Sequence, residues 1–203
     1  LVSFLLLRGR CRHCKEKFSW RYPLVEALTG GLAVALFWKL GLTLSFFSSF
    51  AFTAALLVIT FIDLDHRIIP DAISLPGIGI GFLLSFFEPS VSVMESLIGL
   101  VLGGGSLFAV AWGYEKVTKR EGMGGGDVKL LAMIGAWLGW KAVLFTLFFA
   151  SLSGTLIGGG AMLIQKQGRH YAIPFGPFLA FAALVYLFFG TQLIDWYLSL
   201  GRG

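Results

Sequence analysis

Two short stretches of this sequence hold residues whose type and spacing could do chemistry. The first is Asp63-Leu64-Asp65-His66-Arg67, with Ile68-Ile69-Pro70-Asp71 directly after it. The second is Gly122-Met123-Gly124-Gly125-Gly126-Asp127-Val128-Lys129. Each lies where a long apolar run meets a polar connection. Two aspartates brought together are the minimum kit for cleaving a peptide bond without a metal. One carboxylate, ionised, takes a proton from water; the other, protonated, donates to the scissile carbonyl or the leaving amine. Like charges held close resist double ionisation, so such a pair titrates as one coupled unit. Asp63, Asp65, Asp71 and Asp127 are the acids from which such a pair could come. Helix termination and capping compete for these acids. Asp71, just after Pro70, suits the cap of the next helix, and Asp127 stands at a loop-to-helix junction that an Asp can cap. Four glycines in five positions allow another backbone close to Asp127. Gly124, Gly126 and Lys129 are therefore supporting candidates. A phosphate cradle is disfavoured, because no G-K-[ST] follows and an Asp at the helix start repels phosphate.

A third motif, Cys11-Arg12-His13-Cys14, is a C-x-x-C in a basic stretch. Two thiolates at this spacing are half of a tetrahedral zinc site. A redox dithiol competes, although no thioredoxin-like pattern follows; two reduced thiols without metal are the third reading. Arg169-His170 and Pro174-Phe175-Gly176-Pro177 form a further connection. Its proline-flanked stretch reads first as a rigid turn at a helix start, and second as a wall near the acids.

The chain that must position these residues is mostly apolar. Of its 203 residues, 57% are hydrophobic and 13% charged, with a mean hydropathy of +0.83. An ordinary soluble domain is about 45–50% apolar and about 25% charged. A soluble fold cannot hide so much apolar side chain, a disordered chain would be polar, and two cysteines cannot staple a secreted scaffold. The expected fold is all-α, a polytopic transmembrane helix bundle in contact with the lipid bilayer. Apolar blocks run over about 24–42, 44–62, 72–87, 94–114, 128–140, 142–164 and 174–189, giving about seven membrane helices. The third and fifth fall below the roughly 17–25 residues of a span and borrow from their flanks. The tail, 192–200, caps the last span or lies in the interface. If the blocks alternate, all 16 Lys and Arg except Lys39, Lys141 and Arg202 fall on one side. The positive-inside rule makes that side cytoplasmic and places both acid sites there. The net charge of +5 then follows from topology and anionic lipid, with no nucleic-acid partner. A cation- or proton-coupled membrane transporter is the alternative function, but it would place acids in mid-span. A membrane scaffold docking through the Cys-containing segment would leave the Gly-rich stretch unexplained.

The chain resembles the type IV prepilin peptidases, polytopic G-x-G-D aspartyl proteases of bacterial inner membranes. The likeness lies in Asp63-x-Asp65-His66-x-x-x-Pro70-Asp71 and in Gly122-Met123-Gly124-x-Gly126-Asp127-x-Lys129-Leu130-Leu131. It extends to Ala136-Trp137-Leu138-Gly139-Trp140, to Pro174-Phe175-Gly176-Pro177, and to residues 5–26 with Tyr22-Pro23-Leu24-Val25-Glu26. The resemblance implies an aspartic endopeptidase that removes the basic leader of type IV prepilins or type II secretion pseudopilins at the cytoplasmic face. It also implies N-methylation of the new N-terminus with S-adenosylmethionine in the intact protein, and catalytic roles for Asp63 and Asp127, with Asp65 the nearest rival for the first role. Family members usually carry a preceding membrane helix and two C-x-x-C pairs that together can hold zinc. Only Cys11 and Cys14 are present here, and the chain starts without Met. Residues 1–22 are thus expected to be the remnant of a cytoplasmic zinc-type segment, with the family's first helix missing, and residues 23–203 to be the peptidase domain.

Overall fold

The computed structural model describes residues 4, 7, 9–119, 124–165 and 174–200. Helix dominates them: α1 is Arg21–Leu40, α2 Leu44–His66, α3 Asp71–Leu84, α4 Val93–Thr118, α5 Gly125–Gln165 and α6 Gly176–Leu200. This is the all-α membrane bundle expected from composition. The chain divides into two compact units, Leu1–Leu57 and Val58–Gly203.

In the first unit, residues 9–18 form a tight turn closed by backbone hydrogen bonds. The Phe18 N–H donates to Gly9 O at 2.9 Å and the Cys11 N–H to Glu16 O at 2.8 Å. α1 ends at Gly41, whose φ of 64° is a left-handed value that glycine adopts without steric cost. Thr43 then opens α2, its Oγ1 accepting the Phe46 N–H at 3.3 Å.

The second unit carries both acid stretches. Its centre is the first arm of α5, residues 125–138. Leu130, Leu131, Ala132, Met133, Ile134 and Ala136 are all buried, so this arm is apolar on every side because neighbours surround it. Small residues let those neighbours close in. Gly99 and Gly103 of α4 meet the backbone of Gly135 and Leu131, and Ser96 Oγ donates to Ala136 O at 2.6 Å. On the other side Gly77 of α3 abuts Met133, and Trp137 Nε1 donates to Gly77 O at 2.7 Å. The order of these contacts makes α3 parallel and α4 antiparallel to the first arm. A capping box between Ser92 and Glu95 starts α4, which satisfies backbone donors at its first turn.

α5 does not run straight. Gly139 has φ 80° and ψ 176°, a region open essentially to glycine alone. The second arm, residues 140–165, lies antiparallel to α6: Phe145 packs on Tyr186 with ring centroids 5.4 Å apart, and Gly154 sits beside Phe175 and Phe178. Ile69 borders both Gly126 and Gly176. Residues 125 and 154 therefore lie toward the same end of the unit, whereas a straight helix would hold them ~43 Å apart. The chain reverses at Gly139, and the fifth and sixth apolar blocks are two helices joined by one residue. Counted so, the described residues contain seven helical runs. Five helical stretches are long and apolar enough to cross a membrane, the one over Gly125–Ile157 being divided at Gly139. α3, at 14 residues, is short, as its block length implied. The tail 192–200 continues α6 without a break.

Candidate active site

Asp63 lies in the last turn of α2 and is 4% exposed. A carboxylate that deep in an apolar bundle needs a donor. The Gly176 N–H supplies one, donating to Asp63 Oδ2 at 3.1 Å from the first residue of α6. Two residues along a helix is a turn of about 200°, so Asp65 faces away from Asp63, and it is exposed. The structure does not bring Asp65 into the site. After His66 the chain turns at Arg67, which has a left-handed φ of 56° and donates its N–H to Asp63 O at 2.9 Å. Ile69 follows, then Pro70 and α3.

Asp127 is half-buried in the first turn of α5, its N–H donating to Gly124 O at 3.2 Å. The two aspartates share a neighbour in Ile69. A Cβ on Gly126 would come within 2.8 Å of Ile69 Cβ, and one on Gly176 within 2.5 Å of Asp63 Oδ2 and 3.2 Å of Ile69 Cδ1. A side chain at residue 126 would strike Ile69, and one at residue 176 would strike the Asp63 carboxylate first and Ile69 second. The C-terminal end of α2 and the N-terminal ends of α3, α5 and α6 thus converge, and the Asp63 carboxylate acts electrostatically on that of Asp127. A Cβ on Gly124 would meet nothing nearer than Gly126 N at 4.0 Å, and one on Gly125 nothing at all. The glycine loop is therefore tight on its Ile69 side and open at residues 124 and 125. Gly122 and Met123, like Arg169 and His170, lie outside the described residues.

Asp71 departs from its expected role. Pro70 occupies the cap position of α3 with no side-chain cap, and Asp71 is the first helical residue. Both its carboxylate oxygens instead accept from Lys129 Nζ, each at 2.7 Å. Asp127 likewise sits within the first turn of α5, not at its cap. Neither change could be read from chain position, because the partner of Asp71 lies on another helix. The roles of Ile69 and of the Gly176 N–H also had no local signature. Only the Pro174-Phe175-Gly176-Pro177 stretch hinted at the latter.

The Cys pair stands in the turn of the first unit. Backbone N–H groups of Cys14 and His13 donate toward the Cys11 sulfur and hold its thiol below the ordinary cysteine value, with a smaller contribution from the Cys14 side chain. Such a turn fits two thiolate ligands. Among the described residues no group of three or more His, Cys, Asp or Glu is placed to hold a metal, so the structure gives the expected zinc no support.

Comparison with known proteins shows the family of this chain. The type IV leader peptidase family matches residues 50–159, and the Bacterial Peptidase A24 N-terminal domain matches residues 1–40. The prepilin leader peptidase/N-methyltransferase of Aeromonas hydrophila is 41% identical over 199 residues, covering 98% of this chain and 69% of that protein. The protein of the same name from Stutzerimonas stutzeri is 40% identical over 202 residues, covering 100% and 70%. That of Pseudomonas aeruginosa is 39% identical over 199 residues, covering 98% and 69%. No solved structure matches the chain. The matched stretch contains both aspartates and the glycine loop, and the likeness runs the length of the sequence: this chain belongs to the type IV leader peptidase family.

Proposed function

We infer that this protein is a membrane aspartyl endopeptidase that removes the leader from type IV prepilins, with Asp63 and Asp127 as its catalytic pair. The observation that carries this reading is the convergence of a buried Asp63, fixed by the Gly176 N–H, with Asp127 across Ile69. One carboxylate takes a proton from water as the oxygen attacks the scissile carbonyl carbon. The other gives its proton to the carbonyl oxygen. Collapse of the tetrahedral intermediate breaks the C–N bond, and the amine leaves with a proton. The open flank at Gly124 and Gly125 is where the substrate backbone reaches Asp127, and Lys129 supports the loop through Asp71.

Arg67, Lys116, Lys119 and Lys129 belong to the aspartate end of the second unit, while Lys141 belongs to the other end. The positive-inside rule then turns the aspartates toward the cytoplasm of a bacterial inner membrane. A basic leader would stay at that face while the apolar start of the mature pilin lies in the bilayer. Type II secretion pseudopilins, built the same way, are the second substrate class. The relatives' names add N-methylation of the new N-terminus, for which S-adenosylmethionine is the methyl-donating co-substrate in the intact protein. Residues 1–22 form the Cys-containing segment, where Cys11 and Cys14 would give zinc two of four ligands, and residues 23–203 form the peptidase. No catalytic step is routed through that metal.

The test is direct. Full-length protein is incubated with a prepilin in detergent or liposomes, and the product is examined by mass spectrometry. A product shortened by its leader is expected. An uncleaved prepilin, with the enzyme folded, would overturn the reading.

A further inference from the structure

We propose that Asp71 and Lys129 are a positioning pair that sets the spacing between Asp63 and Asp127. The inference rests on those two aspartates being the catalytic pair. Lys129 lies two residues beyond Asp127 on the same helix. Asp71 lies eight residues beyond Asp63, through a segment whose freedom is small: Arg67 is in a left-handed turn, Ile69 is wedged against Gly126 and Gly176, and Pro70 fixes φ at −66°. The ammonium sits at 2.7 Å from each carboxylate oxygen, so the pair ties the element carrying one aspartate to the element carrying the other.

Electrostatics gives the tie something to oppose. α3 and the first arm of α5 run parallel and start at the same end of the unit. Their N-termini carry like partial positive charges and repel. Asp71 suits its own helix start, whereas Lys129 opposes the field of its helix. Pairing the two offsets both the repulsion between helix starts and the misplaced cation. Neither group is catalytic. Lys129 stands about 200° around the helix from Asp127 and its charge is taken up by Asp71. The partners are 36% and 56% exposed, and ion pairs in water stabilise folds little. Their loss should therefore appear in the chemical step and not in melting.

Steady-state cleavage of a prepilin by full-length enzyme in liposomes tests this. Cleavage by the wild type, and its loss in Asp63→Asn, examine the underlying reading separately; if the wild type does not cleave, that reading and the proposal fall together. With an active wild type, Asp71→Asn and Lys129→Gln should each lower kcat about tenfold, since small misplacements of reacting groups are costly, with KM changed less than about twofold. The double variant should be no slower than either single, because one interaction is lost only once. Lys129→Arg should recover kcat to within about threefold. Wild-type kcat in either single variant would overturn the proposal, as would losses that multiply in the double variant or an Arg variant as slow as the Gln variant. An effect confined to KM would show contact with substrate instead. A melting temperature lowered by more than about 5 °C in both singles would show a structural role.

Discussion

Asp63 and Asp127, the proposed catalytic pair, differ in setting. Asp63 is locked at a helix C-terminus by a backbone donor, while Asp127 sits in the first turn of a helix whose preceding loop is open on one flank. Asn can accept the Gly176 N–H as Asp does, so Asp63→Asn should fold and insert normally. It and Asp127→Asn should each reduce cleavage by about 10³-fold or more, the scale of a lost general acid or base. Asp65→Asn should cleave at close to the wild-type rate, and an inactive but folded Asp65→Asn would shift the first role to Asp65. A pair that must hold one proton between its two members loses activity when both are protonated and when both are ionised. Plotted against pH, kcat should therefore form a bell; a profile with a single limb would speak against two cooperating carboxylates. The Cys pair allows a simpler titration. Because N–H groups of Cys14 and His13 lower the Cys11 thiol, its thiolate persists to lower pH than that of an ordinary cysteine. Iodoacetamide should modify Cys11 in the Cys14→Ser variant at a pH where free cysteine is barely alkylated, as read by mass spectrometry. The two aspartates proposed as the catalytic pair stood out in the sequence because acids are scarce in so apolar a chain. Asp71 did not, because its place beside Pro70 suggests a cap, whereas its partner lies 58 residues away.

At the level of elements, the site is assembled by helix ends and the connections leading into them. Ile69 is a plain aliphatic residue in a four-residue connection, yet it borders the starts of both α5 and α6. Gly126 has to be glycine because of it. Gly126→Ala would drive a methyl group into Ile69 Cβ and push the Asp127 turn outward, so cleavage should fall by at least about tenfold. Removing the obstacle should relieve this: Ile69→Gly/Gly126→Ala should cleave faster than Gly126→Ala alone. Equal rates in the two would mean that Gly126 serves the backbone path and not the contact. Gly124 faces open space, so Gly124→Ala should be the milder of the two loop substitutions. Helix boundaries were largely legible from apolar runs and from Pro70. The wedge was not, since nothing in Ile68-Ile69 marks which side chain turns inward.

At the scale of the whole second unit, the reversal at Gly139 brings the second arm of α5 and the start of α6 back to the aspartate end. Without it the Gly176 N–H could not reach Asp63. An L-residue at φ 80° and ψ 176° costs about 1–3 kcal/mol, so Gly139→Ala should lower the melting temperature in detergent and weaken cleavage although residue 139 is remote from the aspartates. The same reversal assigns faces. Cysteines placed at Lys129 and Lys141 should react with a membrane-impermeant thiol reagent from opposite sides of sealed vesicles, and labelling from one side would contradict the reversal. Sequence alone determined the class of this protein, the number of helical runs among the described residues, the end that holds the acids and the two aspartates to watch. Those properties follow from apolar run length, from the cost of burying charge and from the bias of Lys and Arg, all of which act residue by residue along the chain. Tertiary structure alone decided that Gly176 binds Asp63, that Ile69 separates the helix starts, and that Asp71 pairs with Lys129 instead of capping. Each of these depends on which helices stand side by side, and that is set by close packing among glycines and bulky side chains far apart in the sequence.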